Sequence, residues 1–312
     1  MSGIVNKTGS SSGIVGTTES AGTDLTEISG HIKITPQSSA PVTASGNPGA
    51  LWVDSTKDWI RYAVGDKYMC INIADSACSG GTLTSYESGG ITYVVHSYLT
   101  TGTFSCPTDI PADILLVGGG GGGGNQHTSA SYAGPGGGAG ALLQSPAFTI
   151  SGQTEPYTVT VGAGGAATVD GGDSIFSTLT AHGGYGTNNN GASGNNGSGN
   201  GGYSWTNPST GGTYGNNGGT ASSGYSGGGG GAGGVGANAV NGVSGGAGGS
   251  GATNDYRTGS NVTYAAGGNG ASSYGSVAGS VPSGNSGGGG HGSGNSVGTA
   301  GGSGIVVIRY AI

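Results

Sequence analysis

Charge is scarce in this sequence: Asp, Glu, Lys and Arg make up 7% of 312 residues, against roughly a quarter of an ordinary soluble domain. Positive charge is scarcer still. All four lysines lie at or before Lys67, and beyond it only Arg257 and Arg309 remain. Neutralising a run of phosphates needs a basic patch, so nucleic acid is a poor partner. Proline, at 10 residues, is too rare for collagen, and Gly118–Gly124 is an unbroken glycine run that a Gly-X-Y period forbids. No apolar run approaches the 18 residues of a membrane helix, so no membrane insertion is expected. The start, Met1 to Lys7, lacks the apolar stretch of a secretory signal; this suits assembly in the cytoplasm and release by lysis. Three cysteines, Cys70, Cys78 and Cys106, cannot form a complete disulfide framework within one molecule. We expect three reduced, half-buried thiols, with a single bridge such as Cys70 to Cys78 as the alternative.

Recognisable catalytic chemistry is also missing. No lysine follows Lys67 to complete a P-loop, and matches to G-x-G-x-x-G carry no weight where glycine is so abundant. His31, His96, His127, His182 and His291 show no metal-ligand spacing. Asp173 and Ser174 near His182 hint at a triad, but no nucleophile elbow accompanies them. Asp170 and Asp173 read as side chains that bond nearby backbone rather than as a calcium site. A glycan-cleaving enzyme would need a clustered acidic pair, yet residues 174–312 hold only Asp255. We therefore expect no enzyme, no cofactor and no metal.

What is present is glycine, 78 residues of it, with 15 tyrosines. Low charge and many aromatics are not the composition of a disordered protein, and the terminal Gly304-Ile305-Val306-Val307-Ile308-Arg309-Tyr310 is a strong strand signal. The fold class expected is all-β. Residues 1–30 repeat Ser-Gly-Ile-Val at Ser2 and Ser12 and read as a docking arm for another subunit. Residues 31–79 read as a small β module, with strands at Leu51–Asp54, Trp59–Tyr62 and Tyr68–Ile71. Residues 80–312 form a β-sandwich-like glycine-rich domain, with a β framework in 80–182 and 303–312 and rods and loops in 183–302. The framework strands are expected around Thr92–His96, Gly102–Ser105, Asp113–Val117, Ala147–Ile150, Tyr157–Val161 and Ser174–Phe176.

Between Gly183 and Gly302 the apolar period of a helix is missing, and glycine itself disfavours helix by about 1 kcal/mol per residue. Glycine runs in a polyproline-II-like conformation make no internal hydrogen bonds. Stacked side by side, they can satisfy one another's backbone groups. The clusters 118–124, 134–140, 197–202, 227–236, 245–251 and 287–290 are the expected rods, joined by loops. Those loops are rich in Tyr, Trp, Ser and Asn, the composition of adaptable contact surfaces. Candidate contact residues are Tyr132, Tyr203, Trp205, Asn207, Tyr256, Arg257 and Tyr274. The competing reading is that the aromatics fill a core poor in side chains.

Two stretches, Asp113–Val117 running into Gly118–Gly124 and Gly136 to Leu143, resemble the glycine-rich domain at the C-termini of phage tail-fibre proteins. Tyr157 to Gly165 is similar to the middle strand of that family, Gly301–Tyr310 to its closing strand and Thr92–Phe104 to its opening strands. The likeness covers about residues 82–312 and extends to the polyglycine-rod adhesins at the tips of T-even-type phage long tail fibres. It implies a virion protein whose rods form a sandwich and whose far loops bind a host surface glycan or outer-membrane protein. It further implies a homotrimer; the expected contact with other virion proteins through residues 1–30 comes from the docking arm itself. The sequence departs from that group in lacking an obvious fibre-attachment domain. A purely structural virion role, in a fibre shaft or on a capsid, is the alternative.

Overall fold

The computed structural model describes residues 51–54, 59–64, 67–72 and 78–312, apart from 127–131, 153–155, 188–196, 203–207, 209 and 273–281. The protein divides into two units, Met1–Ala77 and Cys78–Ile312. In the first, strands β1 (Leu51–Asp54), β2 (Trp59–Val64) and β3 (Lys67–Asn72) form an antiparallel sheet in the order β1-β2-β3. Leu51 pairs with Tyr62 and Trp59 with Asn72. These are the three strands expected from the alternating apolar pattern. The docking arm expected at residues 1–30 lies outside the described residues.

In the second unit the strands are β4 (Thr82–Ser88), β5 (Ile91–Tyr98), β6 (Gly102–Phe104), β7 (Ile110–Val117), β8 (Leu142–Ile150), β9 (Tyr157–Thr160), β10 (Ser174–Phe176), β11 (Leu179–Ala181), β12 (Ala252–Asn254), β13 (Val262–Tyr264) and β14 (Ile305–Ala311). They make a five-stranded sheet, β4-β5-β14-β7-β8, a four-stranded sheet, β11-β10-β9-β6, and the hairpin β12-β13. All pairings are antiparallel. The unit is all-β, and the described residues contain no helix.

The terminal strand β14 sits at the centre of the larger sheet, between β5 and β7. It is buried on both faces. Val306, Ile308 and Tyr310 join Ile114, Leu116 and Val94 against Phe104, Tyr157, Val159 and Phe176 of the smaller sheet. Ile305 and Val307 join Val95, Leu115 and Val117 against Tyr264 and Ala265, in and just after β13. That double burial explains why β14 and β7 read as unbroken apolar runs, without the alternation of a half-exposed antiparallel strand. Phe176 is the hub of the first core, its ring meeting Phe104, Phe148 and Tyr157 at centroid distances of 6.1, 5.9 and 5.3 Å. The strand expected at Ala147–Ile150 begins earlier, at Leu142, and forms the single β8. Its pairing with β7 is irregular beside Ala147, which has a positive φ of 52°.

The glycine segments leave this framework as rods. Polyproline-II backbone has three residues per turn, so successive N–H groups point about 120° apart. Residues 118–124, which continue β7, show that pattern directly. Gly118, Gly121 and Gly124 donate to the carbonyls of Ala141, Gly138 and Pro135 in one neighbour. Gly119 and Gly122 donate to Gly172 and Val169, and Gly120 and Gly123 to Gly302 and Thr299. The carbonyls of the same rod accept from Gly165 and Thr168, from Gly184, and from Gly290 and Ser293. Six neighbours surround it: the three that accept its N–H groups run antiparallel, the three that donate run parallel. The 134–141 and 226–231 rods are likewise bonded to neighbours on all sides, in other mixtures of parallel and antiparallel. Every residue from Gly118 to Gly124 is buried, and no N–H in it is left for water to satisfy.

This bundle contains more rods than the glycine clusters suggest. Residues 163–168, 169–173, 182–187, 215–220, 236–239, 265–271 and 299–304 all take part. The 227–236 cluster is not one rod. It folds back at 232–235, where the Gly231 N–H bonds the Gly234 carbonyl, and its two halves run in opposite directions. Nor is the 245–251 rod followed by a loop alone: β12 and β13 interrupt the bundle there.

The cysteine expectation is corrected. Cys78 and Cys106 form a disulfide, with Cα atoms 4.0 Å apart. Ser79 and Ser105, one residue inward, pair across an isolated bridge, and that pairing sets the two cysteines opposite each other. A separation of 28 residues hid the pair from a reading based on spacing. In the chain-entropy account, closing a loop of that length contributes about 3–4 kcal/mol.

A methyl group placed at Gly121 would run into the carbonyl of Tyr185, whereas at Gly284 the nearest atom lies 3.8 Å away. Gly121→Ala should therefore cost about 3 kcal/mol or more in urea unfolding, and Gly284→Ala less than about 1 kcal/mol. Cys78→Ser should lower stability by about 3–4 kcal/mol, and adding reductant should then change nothing further.

Candidate functional site

Rod direction decides where the connecting segments gather. Residues 118–124 run away from the sheets, and so do their parallel neighbours 163–168 and 287–293; antiparallel neighbours such as 134–141 and 299–304 return. The turns between an outgoing and a returning rod must then lie at the far end. The far-end residues described include 125–126, 132–133, 166–169, 221–225, 240–244, 271–272 and 294–298.

These segments bond to one another as well as to their rods. The Gln126 N–H donates to Ser296, the Ala133 N–H to Gly224, and the Ala239 N–H to Thr220. Ser226 Oγ donates to the Ala133 carbonyl. Ser222 and Tyr225 pair across Ser223 and Gly224, whose φ values of 43° and 93° are those of a tight primed hairpin turn. Val240 and Ser244 close a similar turn. The far end is thus a surface of short, mutually braced turns. Val240, Val243 and Val297 project from it, 53%, 72% and 62% exposed, as Leu83 and Val235 do elsewhere on this unit.

Of the seven candidate contact residues, Tyr132 belongs to this end. It is half-buried, and its ring lies 3.8 Å from the position of a Cβ on Gly224. Tyr203, Trp205, Asn207 and Tyr274 lie outside the described residues. Gly202, which precedes three of them, is at the outer end of an outgoing rod. Tyr256 and Arg257 are elsewhere, in the 255–261 connection of the β12-β13 hairpin, against the five-stranded sheet. The Tyr256 ring lies 4.0 Å from the Arg309 guanidinium, which Tyr93 faces at 4.6 Å. Arg309 Nε and Nη2 donate to Asp113 Oδ2 at 3.1 and 2.8 Å, and Nη1 donates to the Tyr86 hydroxyl at 2.6 Å. Burial alone would lower the Arg309 pKa, but the bonds to Tyr86 and Asp113 outweigh it and the net shift is upward. The Tyr86 pKa is raised, chiefly by burial. Arg309 is the clamp that holds the hairpin to the sheet.

Asparagine has a second use that composition did not reveal. Asn125, Asn217, Asn238 and Asn269 accept, through their Oδ1 atoms, the N–H groups of Gly298, Gly211, Thr220 and Gly248. They complete the bonding of rods at the rim. Asp170 and Asp173 do the same for Gly186 and Gly183: they bond backbone, as expected, but that of a rod 16 and 10 residues away and not of a local turn. His182 Nδ1 lies 3.0 Å from Asp173 Oδ2. Ser174 is buried, its hydroxyl donating to the Val117 carbonyl and accepting from the Gly162 N–H, so it is a joint between sheet and rods. Among the described residues no three His, Cys, Asp or Glu side chains converge as metal ligands.

A family model described as a glycine-rich domain matches residues 97–311. The protein belongs to the glycine-rich domain family. The matched span begins in β5 and ends in β14, so it takes in both the sandwich and the bundle. No curated protein matches the sequence.

Two histidines make stability depend on pH. His96 is buried, with Nδ1 2.7 Å from the Gly80 carbonyl, and His291 Nδ1 accepts the Asn269 N–H. Burial lowers both pKa values below 6.5. Between 6.5 and the folded pKa the unfolded state binds the extra protons, so stability is complete above 6.5 and falls as pH drops through that window. Urea unfolding at pH 8 and pH 5 should show a loss that shrinks in His96→Gln and shrinks further in the double variant with His291→Gln. An unchanged loss would mean that other groups carry it.

Proposed function

We propose that this is a phage virion protein, a tail-fibre adhesin that binds a host-cell surface receptor through the far end of its rod bundle. The observation that supports this reading most is the separation of roles along the rods. The sandwich and bundle form a framework bonded through its backbone, and the turns that vary in composition collect at one end, with apolar side chains facing solvent. Exposed apolar groups rimmed by polar residues mark contact surfaces, and turns braced against one another lose little freedom on binding. The resemblance to tail-fibre domains supplies the biological setting. The occupant in this reading is a bacterial surface glycan or an outer-membrane protein. Repeated copies on a particle, as in the homotrimer implied by that likeness, would convert weak single-site binding into firm attachment.

Enzymatic action on the glycan is not part of the proposal, and residues 1–30 are assigned to docking on other virion proteins. A fibre-shaft or capsid-decorating role without a receptor is the second reading, favoured by the regularity of the bundle.

Labelled protein applied to a panel of bacterial strains should mark some of them strongly. Tyr132→Ala and Trp205→Ala should each weaken that labelling by about tenfold, with melting temperatures within about 2 °C of the parent. If no strain is labelled, the structural role is the correct one; if both variants label as well as the parent, the contact surface is not the far end of the rods.

A further inference from the structure

A groove of about 340 Å³ lies on the flank of the sandwich, away from the far end of the rods. Thr82, Thr84 and Tyr86 of β4, Ser97 of β5, Leu99 just beyond it, and Arg257 line it. That volume is within the range of small-ligand sites.

The unusual member is Arg257. Arg309, the other arginine of this unit, is spent on Asp113, Tyr86 and two rings. Arg257 has no ion pair among the described residues. It sits close enough to the Tyr264 hydroxyl to oppose the upward pKa shift that burial gives that group. An arginine without a carboxylate is out of place in a protein of net charge -7.

It is also held firmly. The Thr258 and Gly259 N–H groups both donate to the Asp255 carbonyl, at 3.2 and 2.8 Å. Asn254 Oδ1 accepts the Tyr256 N–H at 2.8 Å. Tyr256 stacks on Arg309 at 4.0 Å. Gly259, with φ of 74°, lies so close over the Tyr86 ring that a Cβ there would come 2.7 Å from it. The turn carrying Arg257 is thus fixed before any ligand arrives, which removes part of the ordering cost of binding.

From these observations we infer that the groove binds a carboxylate-bearing sugar. The Arg257 guanidinium is a fork suited to a carboxylate. The hydroxyls of Thr82, Thr84 and Ser97 match the hydroxyls of a pyranose, and Leu99 offers an apolar patch for its C–H face. A carboxylate from an acidic peptide would engage the guanidinium but leave the hydroxyl row unused. The site is separate from the turns at the rod ends and stands or falls independently of them.

Methyl-group NMR of the full-length protein, titrated with methyl glucuronide, tests the inference. Saturable shifts at Leu99 and Thr84 are expected, with binding in the millimolar range. Methyl glucoside and N-acetyl-aspartate should bind about tenfold more weakly or worse, since each lacks half of the match. Arg257→Gln should weaken glucuronide binding by about tenfold or more, and Thr84→Val by several-fold, each with an unchanged melting temperature. Absence of saturable shifts overturns the site. Equal binding of the glucoside overturns the role of Arg257, equal binding of N-acetyl-aspartate overturns the sugar, and shifts unaffected by either variant place the ligand elsewhere.

Discussion

The molecule depends on lateral hydrogen bonding between glycine rods. A rod of three residues per turn sends N–H and C=O groups out in all directions and bonds none of them internally. It can be buried only when neighbours stand on every side. Residues 118–124 show the solution, with three neighbours accepting and three donating. The same spacing leaves no room for a side chain: at Gly119, Gly120 or Gly122 a Cβ would overlap a carbonyl of the next rod. Glycine is therefore required for steric reasons, despite the entropy it loses on folding.

The two β-sheets make the bundle possible by fixing where rods start. β7 ends at Val117 and becomes the 118–124 rod; β14 begins at Ile305 as the 299–304 rod ends. Because β7 and β14 are paired in the sheet, with Ile305 opposite Val117, their rods emerge already adjacent and antiparallel. Ser174 and Asp173 reinforce the junction through bonds to Val117, Gly162 and Gly183. The apolar cores stabilise the sheets, and the sheets set the register of a region almost without apolar side chains. In the absence of such a start, glycine rods would have no preferred register.

Function in this architecture falls to whatever is left over. Rod positions such as Gly119, Gly120 and Gly122 admit no side chain, so variation falls chiefly to turns at the far end and to connections such as 255–261 along the flank. The first place presents Tyr132 and exposed valines; the second presents Arg257 on a braced turn. The clamp at Arg309 joins these roles, since it locks the hairpin to the sheet and so fixes the residue next to its own stacking partner.

The sequence alone determined the framework and the principle of the bundle. Apolar runs such as Asp113–Val117 and Ile305–Tyr310 are long enough to be read as strands, and glycine runs without helical period leave few alternatives to rods. It did not reveal β11, β12 or β13, three residues each, although it placed the equally short β6 and β10. It did not show that the 227–236 run doubles back, since a row of glycines looks the same whether straight or folded. It also missed the Cys78–Cys106 bond, whose partners meet only through the pairing of Ser79 with Ser105. Tertiary structure alone separated Tyr256 and Arg257 from Tyr132, since residues alike in composition come together or apart according to which rods and strands carry them.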